Sequence, residues 1–228
     1  MIFLIFIITM VIALLAQWQV RRMYSHFSQV PASSGHTGAQ AAHQILSGAG
    51  IHDVEIVEHN EMLGDHYDPI HKRLVLSLQN FHGTSLAALG VAAHEAGHAL
   101  QHKAAYAPLH LRMAAVGVTN FASQIVAFLP LIGMVTGYLS TVTGITIMAV
   151  AWGVIMAFNL VTLPVEFDAS RRAKVMLTEM GFISGHTEHA GVSKVLNAAA
   201  MTYVAAFITS LLYFLYYLLP LITGQRRD

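Results

Sequence analysis

The sequence contains no cysteine. That excludes a disulfide framework and any metal centre built on thiolates. A metal held by this chain must take nitrogen and oxygen ligands, and 14 histidines supply nitrogen in quantity. Charge is scarce as well. Asp, Glu, Lys and Arg make up 11% of the residues, against about 25% in an ordinary soluble domain. Neither sign is in excess, since 12 basic residues balance 12 acidic ones. With no basic patch, nucleic acid is not an expected partner.

The missing charge is localised. Four runs are long and apolar: residues 2–20, about 114–139, about 142–163 and about 203–222. Each passes the length of roughly 18 residues at which a bilayer-spanning helix is expected. Buried core helices are the alternative, but four such runs exceed what a chain of 228 residues could bury. The first run could be a cleaved leader, yet a leader carries its positive charge ahead of the apolar stretch. Here Arg21 and Arg22 follow it, which predicts an uncleaved anchor starting outside and ending in the cytoplasm. Ten of the twelve basic residues fall in segments that four alternating spans put on that same side, and only Arg226 and Arg227 fall on the other.

Between the spans the pattern is mixed. Residues 23–35, with Pro31 and a Ser-Ser-Gly turn, read as a linker. Residues 37–50 read as a short helix capped by Thr37 and stopped by Gly48 or Gly50. Strands are expected over 52–59 and 72–78, and GDHYDP at 64–69 reads as a turn between them. A helix then starts at Thr84 or Ser85 and runs to about Lys103. The second and third spans are joined by STVTG at 140–144, and a second polar segment covers about 164–198.

The chemistry is carried by HEAGH at 94–98, in VAAHEAGHAL. Residues four apart lie on one helical face, so His94 and His98 can aim imidazole nitrogens at one ion. Glu95, a third of a turn away, is placed to take a proton from water beside that ion. The small flanking residues Ala96 and Gly97 admit another helix or a substrate at close range. A hydrolytic zinc needs a third protein ligand and an open position. Glu166, at the exit of the third apolar run, is the candidate, because a carboxylate there is costly without a partner. A hairpin of two spans returns it to the side of His94 and His98. Asp168 competes locally, but it stands three and four residues before Arg171 and Arg172, which suits ion pairing along a helix.

DHYDP, KRLVLS, VAAHEAGHALQH, YAPLHLR, TLPVEFDASRRA and VLNAAAMTYVAA, in that order, resemble the bacterial membrane family of neutral zinc metallopeptidases (YugP-like). The resemblance covers nearly the whole chain. It implies His94 and His98 as zinc ligands, Glu166 as the third, Glu95 as the catalytic carboxylate, and one zinc ion per chain. More distantly the blocks resemble membrane gluzincins, which usually carry an aspartate four residues after the ligand glutamate. Here that position is Ser170, so a carboxylate orienting a ligand histidine is missing or comes from elsewhere. The resemblance also implies that the strand at 72–78 borders the cleft and pairs with an extended substrate. It marks His66, Tyr67 and Asp68 as possible cleft residues.

The expected fold is mainly α and integral to the membrane, with about four transmembrane helices and a small α+β zincin-like region carrying HExxH. In it residues 1–21 form an anchor, 22–113 a cytoplasmic catalytic region, 114–163 a helical hairpin, 164–202 a second catalytic segment and 203–228 a last span and tail. Tyr106, His102 and Tyr203 are candidates for stabilising an oxyanion. Asn120 and Gln124, one turn apart in the second span, are expected to bond between helices. The functional expectation is a multi-pass protease of the bacterial cell membrane, acting from the cytoplasmic side on peptide or protein substrates associated with the bilayer. A zinc transporter and a non-catalytic, zinc-stabilised scaffold are the alternatives. A transporter would need ligands on several spans near the midplane.

Overall fold

The computed structural model of the chain describes residues 2–60, 64–137 and 141–224. Seven helices and three strands follow in the order α1 (Ile2–Phe27), α2 (Gly38–Gly48), β1 (Glu55–His59), β2 (His66–Asp68), β3 (Arg73–Ser77), α3 (Leu78–His82), α4 (Leu86–Lys103), α5 (Ala107–Thr136), α6 (Val142–Glu179) and α7 (Gly185–Thr223) among the described residues. Helices α1, α5, α6 and α7 are long and apolar enough to cross a membrane, as the four runs predicted. Each extends beyond its apolar run. Helix α1 continues into the expected linker as far as Phe27, and α6 and α7 cover most of the segment read as polar. Ser140 of the expected connection, and Arg226 and Arg227, lie outside the described residues.

The chain divides into two compact units. One comprises Met1–Leu15, His110–Leu163 and Thr202–Asp228. Its apolar side chains are largely exposed, Phe121 and Phe128 among them, while Ile145, Met148, Ala149 and Tyr217 form a small buried cluster. Trp152 stacks on Tyr213 with ring centroids 4.5 Å apart. An interhelical polar contact is made by Asn159, whose amide donates to Ala206 O at 3.2 Å and Ser210 Oγ at 3.0 Å. Asn120 and Gln124, expected in that role, sit on an exposed side of α5.

The other unit comprises Ala16–Leu109 and Pro164–Met201. Its core is built from α2, α4 and the inner faces of the sheet and later helices, with Ile45, Leu74, Leu76, Leu89, Leu177 and Phe182 all but inaccessible. The ends of α2 and α4 are set by their sequence. Thr37 Oγ1 accepts from Gln40 N while the Gln40 side chain accepts from Thr37 N, a reciprocal cap. Ser85 Oγ accepts from Ala88 N at 3.2 Å and starts α4. Lys103, in the last turn of α4, donates to the carbonyls of Ala49 and Gly50 beyond the end of α2. Gly38 lets the two helices touch, since a Cβ there would stand 3.0 Å from Ala88 O.

The sheet has the order β1-β3-β2, with β1 parallel and β2 antiparallel to β3. Two expectations change here. The stretch read wholly as a turn contains β2, because Asp65 ties its start to the end of β3. Asp65 Oδ1 accepts from Ser77 N at 2.7 Å, and its Oδ2 accepts from Asn80 Nδ2 at 2.9 Å. Strand β3, expected to pair with a substrate, is the central strand. Strand β1 pairs with it along Arg73–Ser77, while β2 covers only residues 73–75 on the other side.

Candidate metal centre

Helix α4 carries alanine and glycine where a surface helix would carry charge, and Ala92, Ala93, Ala96 and Ala99 are buried. This lets it run through the interior and present His94 and His98 to α6. The closest approach is at Gly97. A Cβ there would lie 2.8 Å from Ala169 O and 3.3 Å from the Ala169 carbonyl carbon and Cα. Those are backbone atoms, so only glycine permits this spacing. Ala169 is three residues after Glu166, and the contact brings the Glu166 carboxylate under the two imidazoles.

Glu166 Oε2 lies 3.3 Å from His94 Nε2 and 3.8 Å from His98 Nε2, and Glu166 is 1% exposed. One ligand atom from each residue falls within a sphere of 4.8 Å separation. Three donors about 2.0–2.1 Å from a tetrahedral zinc are roughly 3.3 Å apart. The donor set, two neutral nitrogens and a carboxylate, also suits that ion. The residues therefore fit a zinc ion.

The other ring nitrogens are held from behind. His98 Nδ1 is 3.0 Å from Gln101 Oε1. The Gln101 amide nitrogen donates to Val165 O at 2.8 Å and Asp168 Oδ2 at 3.0 Å. Both of those partners are acceptors, so the amide orientation is fixed and Oε1 must face His98. It follows that His98 Nδ1 carries the proton and Nε2 offers its lone pair to the cluster. Asp168 in turn accepts from Arg171 and, at 2.6 Å, from Arg172 Nε. His94 Nδ1 lies 3.2 Å from Ser170 Oγ. The hydroxyl at the departed aspartate position thus supports one histidine, and a carboxylate reaches the other through Gln101. Nothing in the composition or spacing singled out Gln101. Its signal was a polar residue three positions past His98 on an otherwise small, apolar helix face.

Glu95 is 8% exposed. Burial pushes its carboxyl up to about 7; the nearby His94 and His66 lower it, while the Glu166 charge raises it further. Glu95 is therefore within electrostatic reach of the cluster and able to exchange a proton near neutrality. Of the cleft block, His66 is near enough to act on Glu95. Tyr67 OH lies 2.9 Å from His102 Nδ1. Asp68 instead caps a turn, accepting from Ile70 N at 2.9 Å and His71 N at 3.1 Å. Tyr106 lies under the Arg172 guanidinium, 5.9 Å from ring centre to Cζ. Tyr203 belongs to the other compact unit.

The structure thus combines four helices long and apolar enough to cross a membrane with a His94, His98 and Glu166 cluster that could hold a metal ion. The family model described as "Putative neutral zinc metallopeptidase" matches residues 2–222, and the chain belongs to that family. It is 43% identical over 211 residues to the "Putative membrane protease YugP" of Bacillus subtilis (strain 168), a similarity covering 92% of each chain. No solved structure matches the chain significantly.

Proposed function

We propose that the chain is a membrane-bound zinc metalloprotease of gluzincin type that hydrolyses peptide bonds in membrane-associated proteins. The observation that carries this reading is the convergence of His94, His98 and Glu166, 72 and 68 residues apart in sequence, on one buried point beside Glu95. His94 Nε2, His98 Nε2 and a Glu166 oxygen would hold one zinc ion per chain. A bound zinc supplies Lewis-acid polarisation of a carbonyl and acidifies water. Glu95 takes the proton from water as it attacks the peptide carbonyl carbon. It then delivers that proton to the departing amine nitrogen, so the carboxylate is restored. Gln101 keeps the His98 imidazole in the tautomer that leaves Nε2 unprotonated, and Ser170 contacts Nδ1 of His94. The unit comprising Ala16–Leu109 and Pro164–Met201 is the catalytic region in this reading, and charge bias puts it on the cytoplasmic side of the bacterial cell membrane.

The test is zinc content per purified chain, followed by turnover of unfolded β-casein in detergent. Wild type should hold about one zinc, and Glu166→Ala should lose it. Glu95→Gln should keep the zinc and lose turnover by at least about 100-fold, the loss typical of a removed acid–base group. Zinc retention with Glu95→Gln as active as wild type would sink the hydrolytic assignment and favour a scaffold or a transporter.

A further inference from the structure

A cavity of about 450 Å³ lies at the end of α1, lined by Arg22, Met23, Ser25, His26, Phe27 and Lys194. Arg22 and His26 are one turn apart on α1 and share a face. Lys194 comes from α7. Its position follows from Gly191 one turn earlier, where a Cβ would stand 2.7 Å from Leu86 Cδ1 and 2.9 Å from Phe27 Cε1. A larger residue there would push these two side chains aside, so Gly191 lets α7 pack against Phe27, which is buried and lines the cavity. No carboxylate lines the cavity. Among the described residues no acidic group pairs with Arg22, His26 or Lys194. Two fixed cations and an imidazole thus face one hollow without a counter-charge, a field that an anion would satisfy.

The surroundings specify the kind of anion. Arg22 is the second residue after the uncharged run 2–20, and its guanidinium lies 5.0 Å from the Trp18 ring centre. Trp18 precedes Arg22 by one turn on the same face of α1 and is 56% exposed. An anionic head in the cavity would therefore have an exposed apolar surface beside it. Tryptophan followed by a basic residue at the end of an apolar helix is also the arrangement found at the headgroup level of a bilayer.

We propose that Arg22, His26 and Lys194 form a binding site for the phosphate of an anionic glycerophospholipid, whose acyl chain lies against Trp18. The site is separate from the metal centre and stands whether or not the chain is a protease.

Trp18 is the natural reporter. The chain has two tryptophans, so a Trp152→Phe background isolates it and keeps a ring against Tyr213. Full-length, delipidated protein in non-ionic detergent is titrated with phosphatidylglycerol or phosphatidylcholine bearing brominated acyl chains, which quench an adjacent indole. Phosphatidylglycerol should quench at roughly 30-fold lower concentration, the preference two basic side chains supply towards anionic lipid. Arg22→Gln with Lys194→Gln should abolish the preference. Arg22→Lys with Lys194→Arg should retain most of it and serves as the folded control. Arg21→Gln, which removes a neighbouring charge outside the cavity, should leave it unchanged. Equal quenching by the two lipids in the wild type, or an Arg21→Gln loss as large as that of the double variant, would overturn the site. Displacement of phosphatidylglycerol by millimolar inorganic phosphate would show a site for a soluble anion and overturn the lipid assignment.

Discussion

Replacing Gln101 with leucine keeps the volume of a wholly buried side chain and removes three hydrogen bonds. These are the contacts to His98 Nδ1 at 3.0 Å, Val165 O at 2.8 Å and Asp168 Oδ2 at 3.0 Å. The Val165 carbonyl lies within α6, whose backbone ladder also uses it, so the loss falls mainly on His98 and Asp168. Without the amide oxygen the His98 ring no longer favours the tautomer with Nε2 unprotonated. Loss of such a supporting partner weakens metal binding about 10–100-fold, or roughly 1.4–2.7 kcal/mol. The zinc-free fold should lose about 1–3 kcal/mol, the cost of a buried polar group deprived of its partner. Zinc affinity by competition with a chromogenic chelator reads the first effect, and thermal melting of chelated protein reads the second. Adding Asp168→Asn to Gln101→Leu should weaken zinc binding little further, because the carboxylate acts on His98 through the amide. Affinity within threefold of wild type, in a variant with unchanged circular dichroism, would refute the orientation argument. Additive losses in the double variant would show that Asp168 acts by another route.

Gly97→Ala should cost about 1–3 kcal/mol of stability and lower zinc content, since its Cβ would press on the Ala169 backbone and push Glu166 away. Gly90→Ala on the same helix should be neutral or stabilising by up to about 1 kcal/mol in melting, because its Cβ would meet Val192 Cγ1 at 3.5 Å and Leu196 Cδ2 at 4.0 Å, ordinary van der Waals contacts. In chelated protein, Glu95 at about 7 lies above its unfolded value of 4.5. The stability it contributes is therefore full below the unfolded value and is lost as pH rises through about 7, an effect of about 3 kcal/mol at most. Melting curves should show this component between pH 5 and 8 in wild type and lack it in Glu95→Gln; identical pH profiles would remove Glu95 as its source.

The candidate metal cluster was legible where it is local. HEAGH combines a spacing of four with small flanking residues, and both requirements are met within one helix. Glu166 was legible for a different reason: a carboxylate at the end of an apolar run needs a partner, and two histidines in the polar region supplied one. The strands were harder. Residues 66–68 read as a turn because Asp68 and Pro69 do end the strand in one, with Asp68 capping Ile70 and His71. The three residues before the turn are too few to show alternation. Their pairing depends on Asp65 reaching Ser77, a contact twelve residues away that no local pattern announces. The placement of β3 between two partners escaped for the same reason, since a strand's neighbours are set by the whole sheet.

The support of the histidines shows how a sequence departure can be absorbed by packing. Ser170 in place of an aspartate read as a missing carboxylate. A hydroxyl is shorter and uncharged, yet at 3.2 Å it still reaches His94 Nδ1, because Gly97 draws α6 close at Ala169, the residue beside it. The charge that Ser170 lacks lies two residues earlier, on Asp168. Its ion pairs with Arg171 and Arg172, the pairing expected from spacing alone, do not exhaust the carboxylate, and Gln101 accounts for the remaining contact. The same two arginines that argued against Asp168 as a ligand therefore hold it where it can orient one. Neither the glycine nor the glutamine belongs to the metal-binding motif, and the geometry of the motif depends on both.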